Sequence, residues 1–190
     1  MTFTQRAARA IKGFLNRNSP EFAVLDVTRD EAILTTDETG QPITPAGISS
    51  MWRAKGPSGK RTRMRVTAWV IANYDTMRDG NWPDVRPEEI PTHGGFFKHA
   101  PHEMPCIYAA IVSRRVYGCG EVGLMCWAYY NEGFTLKWLA GKYSMTEQDV
   151  CKCINQVLDY CATWTERRRS FKDWKNRNYK MRKCQESQRS

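Results

Sequence analysis

The chain has 190 residues and a formal net charge of +9, with 29 Lys and Arg against 20 Asp and Glu, so its partners are sought among polyanions, nucleic acid before membrane surface. Its 41% hydrophobic and 26% charged content is that of a chain that folds, and no apolar run approaches the roughly 18 to 20 residues that cross a bilayer. Seven cysteines, an odd number in no framework spacing, point to reduced thiols in a cytosolic compartment rather than to a disulfide scaffold.

Taken in order, Ala7, Ala8, Ile11, Phe14 and Leu15 recur at helical spacing until Ser19-Pro20 ends the segment. Its apolar run is too short for a signal peptide. Phe22 to Val27 and Ala32 to Thr36 are short and β-branched, and Asp37-Glu38-Thr39-Gly40 follows the second, as in a small hairpin. Lys55-Gly56-Pro57-Ser58-Gly59-Lys60 reads as a flexible connection and the main organisational break, giving a first unit over 1–59. Arg61 to Arg78 then carries Met64, Val66, Ala68, Trp69, Val70, Ile71, Tyr74 and Met77 as the apolar face of a helix. Residues 79 to 105 are too rich in proline and glycine for regular structure, and the helix plus this loop form a second unit over 60–104.

Beyond the loop the pattern predicts helices over Cys106 to Tyr117, Val122 to Tyr130, Leu136 to Lys142, and from Thr146 to about Arg182. The breaks fall at Gly118-Cys119-Gly120, Asn131-Glu132-Gly133 and Tyr143-Ser144-Met145. The fold class expected is mainly α: a helical domain over 105–165 and a basic extension over 166–190 continuing its last helix.

Leu136 to Ile154 matches the packing needs of a helix-turn-helix. Ala140 supplies the small residue where two helices approach, and Ser144 is short enough to turn the chain and cap the next helix. Val150, Cys153 and Ile154 fall on one face of the second helix, able to meet Leu139, Tyr143 and Met145. Thr146, Glu147, Gln148, Asp149, Lys152 and Asn155 are then placed toward its start and outward side, where side chains reach base edges or phosphates. An ordinary pair of packed helices satisfies the same spacing, and two acids at the start of a reading helix fit DNA only where they accept from cytosine N4.

Two cationic stretches accompany this unit. From Glu166 to Ser190, ten Lys or Arg, among them Arg167, Arg168, Arg169, Lys172 and Lys175, face three acids, a local net of +7. Phe171, Trp174 and Tyr179 interleave with them, more in the manner of a docked helix than of a stacking platform. Arg53, Lys55, Lys60, Arg61, Arg63 and Arg65 form a second patch free of acids. Lys60, Arg61, Arg63 and the cations of the extension are candidate phosphate contacts.

Ile107-Tyr-Ala-Ala-Ile-Val-Ser-Arg-Arg-Val-Tyr117-Gly118, the helix-turn-helix at Leu136 to Ile154, and the trailing Val157, Leu158 and Cys161 together resemble the phage Q-type late-gene antitermination proteins over about residues 105 to 165. That group carries a region like the promoter-recognition module of sigma factors. The resemblance implies double-stranded DNA at a late promoter and a paused bacterial RNA polymerase as partners, in the host cytoplasm. It also implies DNA-reading positions at Thr146, Gln148, Asp149, Lys152 and Asn155. Phage late transcription activators share the pattern, and the sequence leaves both roles open.

Other chemistry is less marked. His93, His99, His102 and Cys106 have a spacing compatible with Zn²⁺, but no CxxC or HxxxH pair marks a site, and the expectation is no cofactor. Cys151 and Cys153, two apart on a helix, cannot share one face and read as packing positions. Asp75, Asp79, Asp84, Glu88 and Glu89 are the dense acidic region a metal-dependent nuclease would need, without a nuclease motif, so no enzyme is expected. The alternative to a sequence-specific regulator is a helical interaction or packaging protein that binds nucleic acid without preference or docks an acidic partner.

Overall fold

In a computed structural model of the protein, the residues described are 25–33, 56–83, 105–162 and 170–176. They are mainly α-helical, with no strand among them. The helices are α1 (Arg29–Ile33), α2 (Gly56–Ala72), α3 (Tyr74–Arg78), α4 (Pro105–Tyr117), α5 (Glu121–Tyr130), α6 (Leu136–Tyr143) and α7 (Glu147–Ala162), followed by a short helical stretch over 171–176. None is long and apolar enough to cross a membrane.

Four elements differ from the sequence expectation, one of them the helix read over Arg61 to Arg78, which divides at Asn73 into α2 and α3. Ala32 and Ile33, read as strand, close α1 instead, because a reciprocal cap starts a helix just before them. Thr28 N–H donates to Glu31 Oε2 at 2.8 Å, and Thr28 Oγ1 accepts from Glu31 N–H at 3.2 Å. Residues 25–27 of the other expected strand are described and form no strand; the rest of the expected hairpin and the helix over 4–16 lie outside the described residues. Gly56 to Lys60, read as a flexible connection, is the first turn of α2. Proline is tolerated there because a first-turn N–H has no helical partner, and Gly56 supplies the positive φ of 81° at the entry. Finally, the last helix is not continuous to Arg182. Ser170 begins a new one, its Oγ accepting from Asp173 N–H at 3.1 Å.

One apolar core joins all of these helices. Met64, Trp69 and Ile71 of α2, Tyr108 of α4, Met125 of α5, Leu139 of α6, and Ile154 and Leu158 of α7 are fully buried together with Val27. Helix α7 is the central strut, packing on α2, α4, α5 and α6. The α4–α5 corner is tight because Gly123 lets the helices close: a Cβ there would lie 1.8 Å from the Val116 carbonyl oxygen. The segment before α1 is fastened to the same core, with Tyr130 Oη–H donating to Val27 O at 2.6 Å and Asp26 N–H donating to Asn155 Oδ1 at 2.9 Å.

Candidate nucleic-acid interface

The α6–α7 unit is built from local caps. Thr135 Oγ1 accepts from Trp138 N–H at 3.2 Å and starts α6. Ser144 ends it in the left-handed region, at φ 53° and ψ 50°, while Met145 N–H returns to Ala140 O at 2.9 Å. The cap of α7 is Thr146, whose Oγ1 accepts from Asp149 N–H at 3.1 Å, so Ser144 closes the first helix and does not start the second. Leu139, Ala140 and Tyr143 of α6 are buried, as are Val150, Cys153 and Ile154 of α7, which is the packing the spacing predicts.

The outward side of α7 is a polar stripe at four-residue spacing. Gln148 is exposed, and Lys152 and Gln156 are half-buried along the same line. Lys152 Nζ lies 3.4 Å from Asp149 Oδ1, which offsets one of the two acids in the first turn; the other, Glu147, is exposed. Asn155 does not belong to this stripe. It is 0% exposed and turned inward, and its side-chain oxygen is spent on Asp26 N–H, so its expected place on the outward face is corrected. Gln156 takes that place, and the i, i+4, i+8 series from Gln148 is the signal that marks it.

Helix α6 adds an aromatic and cationic face beside the unit. Trp138 stacks on Phe134 with ring centroids 4.0 Å apart and remains 44% exposed. Lys142 Nζ sits 4.9 Å from the Trp138 ring, and Lys137 is exposed on the same helix.

Of the second cationic patch, Arg53 and Lys55 lie outside the described residues, and the other four make contacts within the fold. Lys60 Nζ pairs with Asp159 at 3.0 Å, Arg61 pairs with Glu31 at 2.7 Å, and Arg63 Nε donates to Ala162 O at 3.1 Å. Arg65 is buried. These side chains tie α2 to α1 and α7; of the expected phosphate contacts, the Lys60 and Arg61 side chains are 44% and 55% exposed beside the carboxylates of Asp159 and Glu31, and Arg63 is half-buried. Of the extension, Arg167, Arg168 and Arg169 lie outside the described residues. Lys172 is exposed, whereas Lys175 is half-buried and burial pushes its pKa down to about 8. Phe171 and Trp174 dock on Tyr160, with centroid distances of 5.2 and 5.8 Å.

Among the described residues no three His, Cys, Asp or Glu side chains converge to hold a metal. His93, His99 and His102 lie outside those residues, and Cys106 is half-buried at the start of α4. Cys151 and Cys153 are both buried, and burial raises the Cys153 thiol to about 12. Asp75 and Asp79 both pair with Arg78, at 3.1 and 3.0 Å, and the remaining acids of that region lie outside the described residues. Compared with known families, characterised proteins and solved structures, the chain has no match.

Proposed function

We propose that the protein is a transcription regulator that binds double-stranded DNA through the α6–α7 unit, reading base edges with Gln148, Lys152 and Gln156. The supporting observation is the capped turn at Ser144 to Thr146, which leaves Thr146, Glu147 and Gln148 exposed at the start of α7, with Lys152 and Gln156 half-buried along the line from Gln148. Amide side chains on such a stripe match the paired donor and acceptor of adenine, and Lys152 matches the acceptors of guanine. Thr146 and the exposed Lys137 and Lys142 sit where phosphate contacts would fix register. The resemblance over about residues 105–165 is what supports a late-gene role on bacterial RNA polymerase in the host cytoplasm, as antiterminator or as activator, of which we take the antiterminator.

A second reading, an interaction protein without sequence preference, is favoured by one observation: Glu147 and Asp149 place carboxylates in the first turn of α7. Selection of bound duplexes from fragmented phage DNA, at near-physiological salt where counterion release suppresses nonspecific binding, separates the two. Recovery of one site beside a late promoter supports the regulator and leads to a terminator read-through assay with RNA polymerase. Recovery of random fragments, or of none, overturns it.

A further inference from the structure

Helix α6 buries Leu139, Ala140 and Tyr143 and turns Lys137, Trp138, Gly141 and Lys142 to the opposite side, where all four are exposed. Neither lysine pairs with a carboxylate among the described residues, so this face holds two open positive charges. A lone exposed tryptophan is ordinary on a protein surface. Trp138 is more constrained than that: the Phe134 ring stacks on it at 4.0 Å and 14°, and Lys142 Nζ lies 4.9 Å from its centroid. Indole and ammonium are thus held in place before a partner arrives, which lowers the entropy lost on binding.

Gly141 is the second departure. A glycine inside a helix costs stability relative to alanine, and the fold supplies no reason for this one: its φ is not positive, and a Cβ on it would meet nothing within 4 Å. It leaves bare main chain between Lys137, Trp138 and Lys142, where a partner's own backbone can lie close. The charges select a polyanion, and the position of the face selects which one. The last turn of α6 is joined to the start of α7 by Met145 N–H donating to Ala140 O at 2.9 Å, so the face stands at the same end of the unit as the exposed Gln148. A duplex whose groove Gln148 enters presents its flanking strand here. An acidic peptide or an anionic membrane would satisfy the lysines equally, but neither has cause to lie beside the start of α7.

We propose that α6 clamps one DNA strand: its sugar–phosphate chain crosses Gly141, a deoxyribose packs on the Trp138 indole, and phosphates to either side meet Lys137 and Lys142. The inference rests on the DNA-binding reading and adds Trp138 and Gly141 to it as backbone contacts, equal in strength for every sequence.

The test uses the full-length protein and a labelled duplex of random sequence, so that it does not wait on a selected site. Trp138→Ala should lose about tenfold in affinity and Trp138→Phe keep most of it. Gly141→Gln should raise the melting temperature by about 1 to 3 °C, from better helix propensity, and still lose about tenfold in binding. A more stable protein that binds less is the signature that a role in the fold alone does not give. Lys142→Gln should also flatten the fall of log affinity with log salt by about 0.9, whereas Trp138→Ala leaves that slope unchanged. Undiminished binding by Trp138→Ala and Gly141→Gln, or a lowered melting temperature in Gly141→Gln, overturns the clamp while the DNA reading stands. Failure of the wild type to bind any duplex overturns both. Wild-type binding to poly-glutamate or to phosphatidylserine vesicles as tight as to the duplex, and equally weakened by Gly141→Gln, assigns the face to another polyanion and overturns the clamp.

Discussion

Two regions invite the same functional reading and behave in opposite ways. The cations of α2 look like a binding patch because no acid stands near them in sequence, yet Lys60 meets Asp159, Arg61 meets Glu31 and Arg63 meets the end of α7. The start of α7 looks awkward for DNA because it carries Glu147 and Asp149, yet Gln148 is exposed there and pairs with no charge from another helix among the described residues. A run of like charge is a free surface only when the fold brings no opposite charge to it. The acids that occupy the α2 patch come from 30 residues upstream and 99 downstream, beyond the reach of any local pattern.

The largest effect that sharpens this comparison is at Asn155. Buried and holding Asp26 N–H, it should cost about 2 to 3 kcal/mol of unfolding free energy as Asn155→Ala, because a buried donor loses its acceptor and a void is left. Urea denaturation measures it, and a change under about 0.5 kcal/mol, the range of ordinary surface substitutions, would return Asn155 to the outward face. Gln148→Ala should do the reverse: leave the melting temperature unchanged and remove about 1 to 2 kcal/mol of preference for a selected site, read as a roughly 5- to 30-fold loss in competition binding.

Lys60→Met should cost about 1 kcal/mol of stability, since Asp159 is only 15% exposed and loses its partner, while preference among duplexes is retained. A loss of preference with unchanged stability would restore the α2 patch as a contact surface.

The pH-dependent effect is at Lys175. Its folded pKa of about 8 lies below the ordinary 10.5, so between those values the unfolded chain holds a proton the folded chain has released, and this group's contribution to stability rises with pH. The Lys175→Met variant should therefore gain most in melting temperature relative to wild type near pH 7, with the gain shrinking as pH is raised toward about 10. A gain constant across that range would place the ammonium in water.

The helical course from 61 to 78 and the four helices from 105 to 162 were legible because each rests on local spacing: apolar residues three and four apart, with Gly118–Gly120 and Asn131–Gly133 as breaks; the first turn of α2 and its parting from α3 at Asn73 carry no such signal. Three local signals were present and outweighed. Thr28-x-x-Glu31 is a capping box, but β-branched Ile33 pulls the reading toward strand. Ser170-x-x-Asp173 starts a helix inside a run of cations that otherwise reads as continuous. Gln156 shares a line with Gln148 and Lys152, where the proximity of Asn155 to the helix start drew attention instead. The partners of Lys60, Arg61 and Arg63 were not legible at all, because they depend on the packing of α2 against α7 and α1.

The most direct test of the central claim compares two variants on one selected duplex and its scrambled counterpart, at fixed near-physiological salt. The account predicts that Gln148→Ala with Gln156→Ala abolishes the preference for the selected site while nonspecific affinity stays, and that Lys60→Met keeps the preference. Retention of full preference in the double variant would contradict reading by α7 and assign the basic chain to binding without sequence choice.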